Sequence, residues 1–317
     1  MWIFKASNGK LSSSVQKKFL FLWEQAFGRK MSSHLLKWKY QLPPFGAQMM
    51  LAYDMEGNLC GHFGGQVFEA LWQGKTYLIT HLTDAMIHPA WQKKGLYPEL
   101  VKKFFLYFAE NSQFFYGYPG LYHFKVGKKR GFFRPFNQGV AYFESTSSIS
   151  KKKFLRRYFY SFRALEVRDL KQVSECCKKL SYYMPILKRS KEFLFWRFMR
   201  HPENTYFMYG LFSFSGKLKG FVSVKKNKEE LIIVDLVPSL EEEETDILLQ
   251  ETLSLFPYKR YQLWISKNIL YFVKIKYLKS YHEPLGIYPC AVSHPYVEDK
   301  LMSWREMFYT MADADIF

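Results

Sequence analysis

The sequence predicts a mixed α/β fold in which one sheet-and-helix unit is built twice in tandem, the second copy degenerate. Three observations carry this. The chain has enough apolar material for two cores, it contains an internal repeat, and each copy of the repeat runs on into a strand, a loop and a helix. Of its 317 residues, 48% are hydrophobic and 20% aromatic. That length suits two domains of about 150 residues each, and extended disorder is not expected from so apolar a composition.

The repeat pairs "LLKWKYQLPPFGAQMMLAYDMEGNLCGHFGG", from Leu35, with "FLFWRFMRHPENTYFMYGLFSFSGKLKGFVSVK", from Phe193. Trp38, Tyr40 and Pro44 match Trp196, Phe198 and Pro202, each 158 positions later. Gly57 to Gly61 matches Gly216 to Gly220 at an offset of 159. Each copy reads as a helix end, an apolar strand, a glycine-containing turn and a second strand. Two matches at nearly one offset imply related domains over 1–146 and 161–317. The join, 147–160, falls in "STSSISKKKFLRRYF", which is polar and then basic as a linker should be.

In the first copy, "YLITHLTDAMI" (Tyr77 to Ile87) is rich in β-branched and apolar residues and reads as a central strand that Pro89 ends. A helix is expected from Pro98 to about Glu110, with Leu100, Val101, Phe104, Phe105 and Phe108 on one face and Lys102 and Lys103 on the other. Between strand and helix lie Gln92, Lys93, Lys94 and Gly95. The amides of residues 93–97 have no partners within the helix and point along its positive end, which makes an anion site. Gly95 lets a ligand approach the backbone closely. An ordinary loop with two solvated lysines has the same local pattern.

This stretch resembles the acetyl-CoA motif of the GNAT N-acetyltransferase superfamily. There, a central strand ends in an apolar-x-Pro step and runs into Gln/Arg-x-x-Gly-x-Gly/Ala and a helix. Here Ile87-His88-Pro89 is followed by Gln92-Lys93-Lys94-Gly95-Leu96-Tyr97, with Tyr97 in place of the usual small residue. A further strand, Gln113 to Gly120, then leads to a helix closing in Lys129-Arg130-Gly131-Phe132, similar to the family's Lys-x-Gly-Phe ending. The resemblance covers roughly residues 20–143. It implies a central strand splayed from its neighbour, with pantetheine in the gap against Ala85, Met86 and Ile87. It also implies pyrophosphate on the amides of the loop from Gln92 through Lys93, Lys94, Gly95 and Leu96 to Tyr97. The reaction would be direct transfer of an acetyl group from acetyl-CoA to a primary amine of a small molecule or amino sugar.

Such chemistry needs a neutral amine, a route for its proton, a polarised thioester carbonyl and an acid for the departing thiolate. By the resemblance, the position of the glutamate base falls at His81; a histidine can serve as base near neutral pH, and a satisfied core histidine is at least as good a reading. Asp84 is an odd number of residues away and so is expected on the opposite strand face. The family's tyrosine position, counted back from Gly131, falls at Gly127, so the usual acid is absent. Tyr122 and Tyr97 are the candidate substitutes.

In the second copy the equivalent strand is "LIIVDLVP", and "SLEEEETD" stands where the basic loop was. Glutamates suit a helix start but oppose a pyrophosphate, so this copy is expected to have kept the fold and lost CoA. The tandem arrangement resembles the branch that includes the Eis-like aminoglycoside acetyltransferases, in which the terminal carboxylate reaches the active site. The chain ends "WREMFYTMADADIF", and the Phe317 carboxylate, near Asp313 and Asp315, is the corresponding candidate.

Charge and cysteines bound the alternatives. Lys and Arg number 46 against 28 Asp and Glu, a net +18, which favours an anionic partner: a nucleotide cofactor, nucleic acid or a membrane face. A solvated basic surface gives the same total. No nucleic-acid-binding fingerprint accompanies the charge, so nucleic acid ranks last. Cys60, Cys176, Cys177 and Cys290 form no CxxC and have no His at ligand spacing, so reduced thiols and no metal are expected. "MWIFKASNGKLSSS" has no apolar signal core, and no run reaches the length of a membrane span, which points to a cytoplasmic protein. The competing functions are a non-catalytic GNAT-like binding protein and an aminoacyl-tRNA-dependent transferase.

Overall fold

The structure is a computed structural model that describes residues 1–136, 140–145, 159–256, 258, 260–271, 279–281, 288, 290–292 and 306–314. In the first half, β1 (Ile3–Ser7) is followed by α1 (Ser13–Phe27) and α2 (Ser33–Leu36), the latter running into a π-helical turn at Lys37–Gln41. Then come β2 (Ala47–Tyr53), β3 (Leu59–Trp72), β4 (Lys75–Ile87), α3 (Leu96–Phe108), β5 (Phe114–Gly117), α4 (Leu121–Lys129), β6 (Phe133–Pro135) and β7 (Val140–Ser145). The second half begins after the segment 146–158. It contains β8 (Tyr160–Ala164), α5 (Leu170–Leu180), β9 (Ile186–Leu187), α6 (Lys191–Leu194) with a π turn at Phe195–Met199, and β10 (Tyr206–Ser213). The rest is β11 (Leu218–Asn227), β12 (Glu230–Val237), α7 (Glu242–Leu255), β13 (Arg260–Ser266), β14 (Lys279–Tyr281) and β15 (Cys290–Val292).

Two mixed sheets result. The first runs β1-β2-β3-β4-β5-β15-β6, with β9 pairing to β3, and the second runs β14-β7-β13-β12-β11-β10-β8. The sheets therefore exchange strands: β7, from the first half, lies between β13 and β14, and β15, from the second, lies between β5 and β6. No sequence feature of these short strands says which sheet they enter. Most of the expected linker, 146–158, lies outside the described residues.

Side-chain alternation along β2 shows how the first sheet is covered. Met49 and Leu51 pack with Phe19, Leu22 and Trp23 of α1, and Met50 and Ala52 pack with the α3 side. The expected apolar face of α3 is buried in full: Leu100, Val101, Phe104, Phe105 and Phe108. Pro98 is the third residue of that helix rather than the first, still within the turn whose amides lack partners. α1 is held at both ends, by the Ser12 hydroxyl accepting from the Val15 amide and by Gly28 in the left-handed conformation.

The π turns sit at the repeat offset, and each is closed by a backbone bond five residues long, Leu42 to Lys37 and Arg200 to Phe195. The wider turn buries three successive residues, Trp38, Lys39 and Tyr40 in the first half and Trp196, Arg197 and Phe198 in the second. Trp38 and Trp196 stack with centroids 4.6 Å apart, and each indole N–H donates to the other's carbonyl at 2.9 Å. This reciprocal pair joins the halves about a local two-fold relation.

Candidate active site

The site begins where two parallel strands part. β4 pairs with β5 from Ile79–Phe114 to Leu82–Gly117, then continues to Ile87 while β5 turns away into α4. A cleft of about 320 Å³ opens there, bordered by Leu82 to Ala85 on one side and Gly117 to Gly120 on the other. Tyr97 and His123 also line it, which connects it to the first turn of α3.

β4 carries a bulge at this point. Its pairing with β3 passes from Thr83–Gly64 to Met86–His62, so Asp84 and Ala85 together oppose Phe63, and Asp84 has φ +52°. Aspartate is among the few residues that adopt this conformation readily. β3 can lie close to both neighbours only because Gly64 and Gly65 are small. A Cβ at Gly64 would lie 2.5 Å from the Gln48 carbonyl oxygen, and one at Gly65 would lie 2.4 Å from that of His81.

The bulge concentrates polar groups. Asp84 Oδ2 meets Lys39 Nζ at 2.5 Å and accepts from the Thr83 hydroxyl at 2.8 Å and from the Tyr40 hydroxyl. All three donors converge on this oxygen, and no described residue donates to Oδ1. His62 lies at the back, where its Nδ1 donates to the Asp84 carbonyl at 2.9 Å. Burial pushes His62 down to about 4, opposed by its bond to Asp84, so the ring is neutral. Its Nε2 is buried with no partner among the described residues.

The loop before α3 fits an anion. Lys93 and Gly95 have φ of +62° and +86°, Gly95 caps the helix, and no side chain caps the first turn. A Cβ on Gly95 would meet nothing within 4 Å, so the space beside Gly95 is open. Gln92 braces the loop through Nε2 to the Ile87 carbonyl at 3.3 Å, and Lys94 stands 5.0 Å over the Trp91 ring. The exposed Lys93 and Lys94 add charge. The groups expected to hold acetyl-CoA, from Ala85, Met86 and Ile87 to Leu96 and Tyr97, thus follow one another from the bulge to the helix start.

The expected catalytic residues separate. His81 is buried, stacks on Tyr116 at 5.0 Å and borders the cleft. Asp84 borders it too, because the bulge breaks the alternation that set the two residues on opposite faces. Tyr122 is 76% exposed at the start of α4 and does not line the cleft. Phe317 and Asp315 lie outside the described residues. Asp313 is engaged elsewhere: Arg189 binds it at 2.7 and 2.8 Å, and the same guanidinium holds Asp235 at 3.0 Å. Gly127 explains the missing tyrosine, since a Cβ there would lie 2.2 Å from the Phe133 ring.

Sequence reasoning missed Lys39, Tyr40, His62 and Tyr118. The repeat already marked Tyr40 and, through Arg197 at the same offset, could have marked Lys39; nothing local marks His62. Tyr118 lines the cleft beside Tyr309, and its hydroxyl is buried without a partner among the described residues. Burial raises it well above the usual phenol value, as does the neighbouring Asp313. Burial likewise pushes Tyr97 up to about 12.

Among the described residues, the corresponding place in the second half is occupied. β12 and β13 pair from Glu230–Arg260 to Ile233–Leu263. Beyond that, the segment 306–314 enters: the Ser266 amide donates to the Tyr309 carbonyl at 2.9 Å, and the Thr310 hydroxyl donates to Asp235 at 2.8 Å. At the start of α7, Glu244 turns back to accept from Tyr160 at 3.0 Å and from the Ser239 hydroxyl, and pairs with Lys219 at 2.7 Å.

Residues 10–133 match the family model described as the acetyltransferase (GNAT) domain. A search of curated proteins gave no significant sequence match. Among solved structures, a GCN5-related N-acetyltransferase from Anabaena variabilis superposes with a TM-score of 0.67 at 12% identity, covering 92% of this chain and 72% of the other. A GCN5-related N-acetyltransferase from Kribbella flavida gives 0.63 at 12% identity, with coverages of 92% and 71%. The Saccharomyces cerevisiae N-myristoyltransferase with bound myristoyl-CoA gives 0.58 at 11% identity, with coverages of 91% and 82%. At these identities the likeness is one of fold. Residues 10–133 are thus similar to the GNAT acetyltransferase domain, and the fold of the chain as a whole is one found among GCN5-related N-acetyltransferases.

Proposed function

We propose that the protein is an N-acyltransferase that moves an acetyl group from acetyl-CoA to a primary amine of a small molecule or amino sugar. The observation that carries this reading is the open gap between β4 and β5, which ends at an uncapped, glycine-started helix. The donor supplies an activated thioester. The amides of residues 93–97 and the lysines beside them bind its pyrophosphate, and the strand amides of 85–87 orient its arm. Asp84 is the group we assign to the acceptor. Lys39, Tyr40 and Thr83 fix Oδ2, so that Oδ1 holds the incoming ammonium beside the thioester carbon. The amine must lose a proton before it attacks, and His81 is the nearby residue able to take it. Tyr97 and Tyr118, both kept protonated by burial, are positioned to donate to a leaving thiolate. Burial makes both weaker acids than a free phenol; what favours them over the solvent-exposed Tyr122 is that they line the cleft.

In this reading the units 1–146 and 161–317 are related domains joined by 147–160, as in the Eis-like branch. The second has lost CoA because 306–314 fills its gap and Glu244 occupies its loop, and the Phe317 carboxylate is a further proton acceptor. No helix among the described residues is long and apolar enough to cross a membrane, which is compatible with a cytoplasmic setting. The test is thiol release from acetyl-CoA across a panel of primary amines. Release above hydrolysis that Asp84→Asn lowers by about 10²-fold or more supports the reading, and no release with any amine removes it.

A further inference from the structure

A second cavity, of about 190 Å³, lies at the α1–α2 connection, where the first half meets the segment after the second π turn. Trp23, Arg29, Lys30, Lys39, His201 and Asn204 form its main walls. Nearly every polar group there is a donor. Arg29 and Lys30 are exposed cations at its rim, and Lys39 is a buried one that also pairs with Asp84. The one acid of the wall, Glu203, already accepts from the Ser32 hydroxyl at 3.1 Å. His201 is neutral, pushed down to about 3 by burial and by Arg197 and Lys225. Its Nδ1 is taken up by the amides of Glu203 and Asn204, at 3.2 and 3.1 Å.

The independent observation is Trp23. It is 4% exposed, and its indole N–H is buried with no acceptor among the described residues. Arg29 and Lys39 stand over its ring at 5.8 and 5.4 Å. Buried N–H groups in folded proteins are nearly always paired, so a donor left over in a cavity walled by three cations implies an acceptor that binds there. We propose that this cavity is an oxyanion site for a phosphate or carboxylate group. The bound oxygen accepts from the Trp23 indole, and Arg29, Lys30 and Lys39 neutralise the charge. Because Lys39 is shared with Asp84, an anion in the cavity sits one side chain from the residue assigned to the acceptor amine. The oxyanion is therefore either part of the acceptor or a free anion.

The test is nitrogen-15 NMR of the tryptophan indoles of the full chain, which needs no turnover and so stands apart from the acyltransfer reading. Inorganic phosphate should move one indole signal saturably. That signal should be the one lost in Trp23→Phe, and Arg29→Ala combined with Lys30→Ala should weaken binding at least about tenfold. Glucose 6-phosphate and glucosamine 6-phosphate separate the sources. Tighter binding of the amine-bearing sugar, by about tenfold, assigns the anion to the acceptor, and equal binding of both with phosphate assigns a free oxyanion. No saturable shift with any of the three, or a shift unchanged in the double variant, overturns the proposal.

Discussion

Replacing Asp84 tests whether the bulge is an electrostatic device. Asp84→Asn keeps a side chain that tolerates the left-handed backbone of +52° and keeps an oxygen for the Tyr40 and Thr83 hydroxyls. It removes only the charge. Lys39 Nζ, 2.5 Å from the carboxylate and 7% exposed, is then a buried cation without its counter-ion. Breaking a buried pair from one side costs about 3–5 kcal/mol, far above the ~0–1 kcal/mol of a surface pair. Lys39→Met should cost less, about 2–3 kcal/mol, because the carboxylate keeps two hydroxyl donors. With both substitutions no unpaired charge is left and the stems still pack, so the double variant should lose only about 1–2 kcal/mol. Urea unfolding of the four proteins at pH 7.5 gives the cycle directly. A coupling energy of at least about 2 kcal/mol is expected, whereas additivity within about 0.5 kcal/mol would refute a buried, dependent pair.

Three further outcomes follow from the same geometry. His62 is held at about 4 in the folded chain and titrates near 6.5 when unfolded, so the unfolded state binds the extra proton between these values. Stability should therefore fall as pH drops through that window, by about 2 kcal/mol between pH 8 and pH 5 for this residue, and His62→Gln should flatten the profile in denaturant titrations. All four cysteines are buried and free, and burial raises Cys60 and Cys176 to about 11 and Cys177 to about 12. An aromatic disulfide reagent at pH 8 should thus find almost no fast thiol in the native protein and four after denaturation. Gly127→Ala should destabilise by about 1–3 kcal/mol because its methyl meets the Phe133 ring. Phe133→Leu should recover part of that loss in a thermal melt, and an undiminished loss would point to backbone strain instead.

The part of this architecture that could be read from sequence is the part written in local periods. The strand before Pro89, the apolar stripe of α3 and the lone glycine between them are short-range patterns, and they appear in the structure within two residues of their expected bounds. The repeat was legible because aromatic residues at one offset fill the same buried turn twice. The remainder depends on contacts distant in sequence. Asp84 turns toward the cleft because Gly64 and Gly65 on the neighbouring strand allow a bulge, and strict alternation cannot anticipate that. Lys39 reaches Asp84 from 45 residues away through a π turn that carries no sequence signature. The exchange of β7 and β15 is set by which sheet edge each short strand can pair with, a decision made in three dimensions.

The proposed reaction requires that the gap between β4 and β5 and the amides before α3 bind acetyl-CoA. Calorimetric titration with acetyl-CoA and desulfo-CoA, comparing wild type with Gly95→Glu, tests it most directly. The substitution places a carboxylate beside those amides but also puts a side chain at φ +86°, which costs about 1–2 kcal/mol, so a thermal melt must first show that Gly95→Glu is folded at the titration temperature. Micromolar binding to the wild type, lost in Gly95→Glu, is the predicted result. Absence of binding to the wild type, or equal binding to both proteins, would rule out acetyl-CoA at this site.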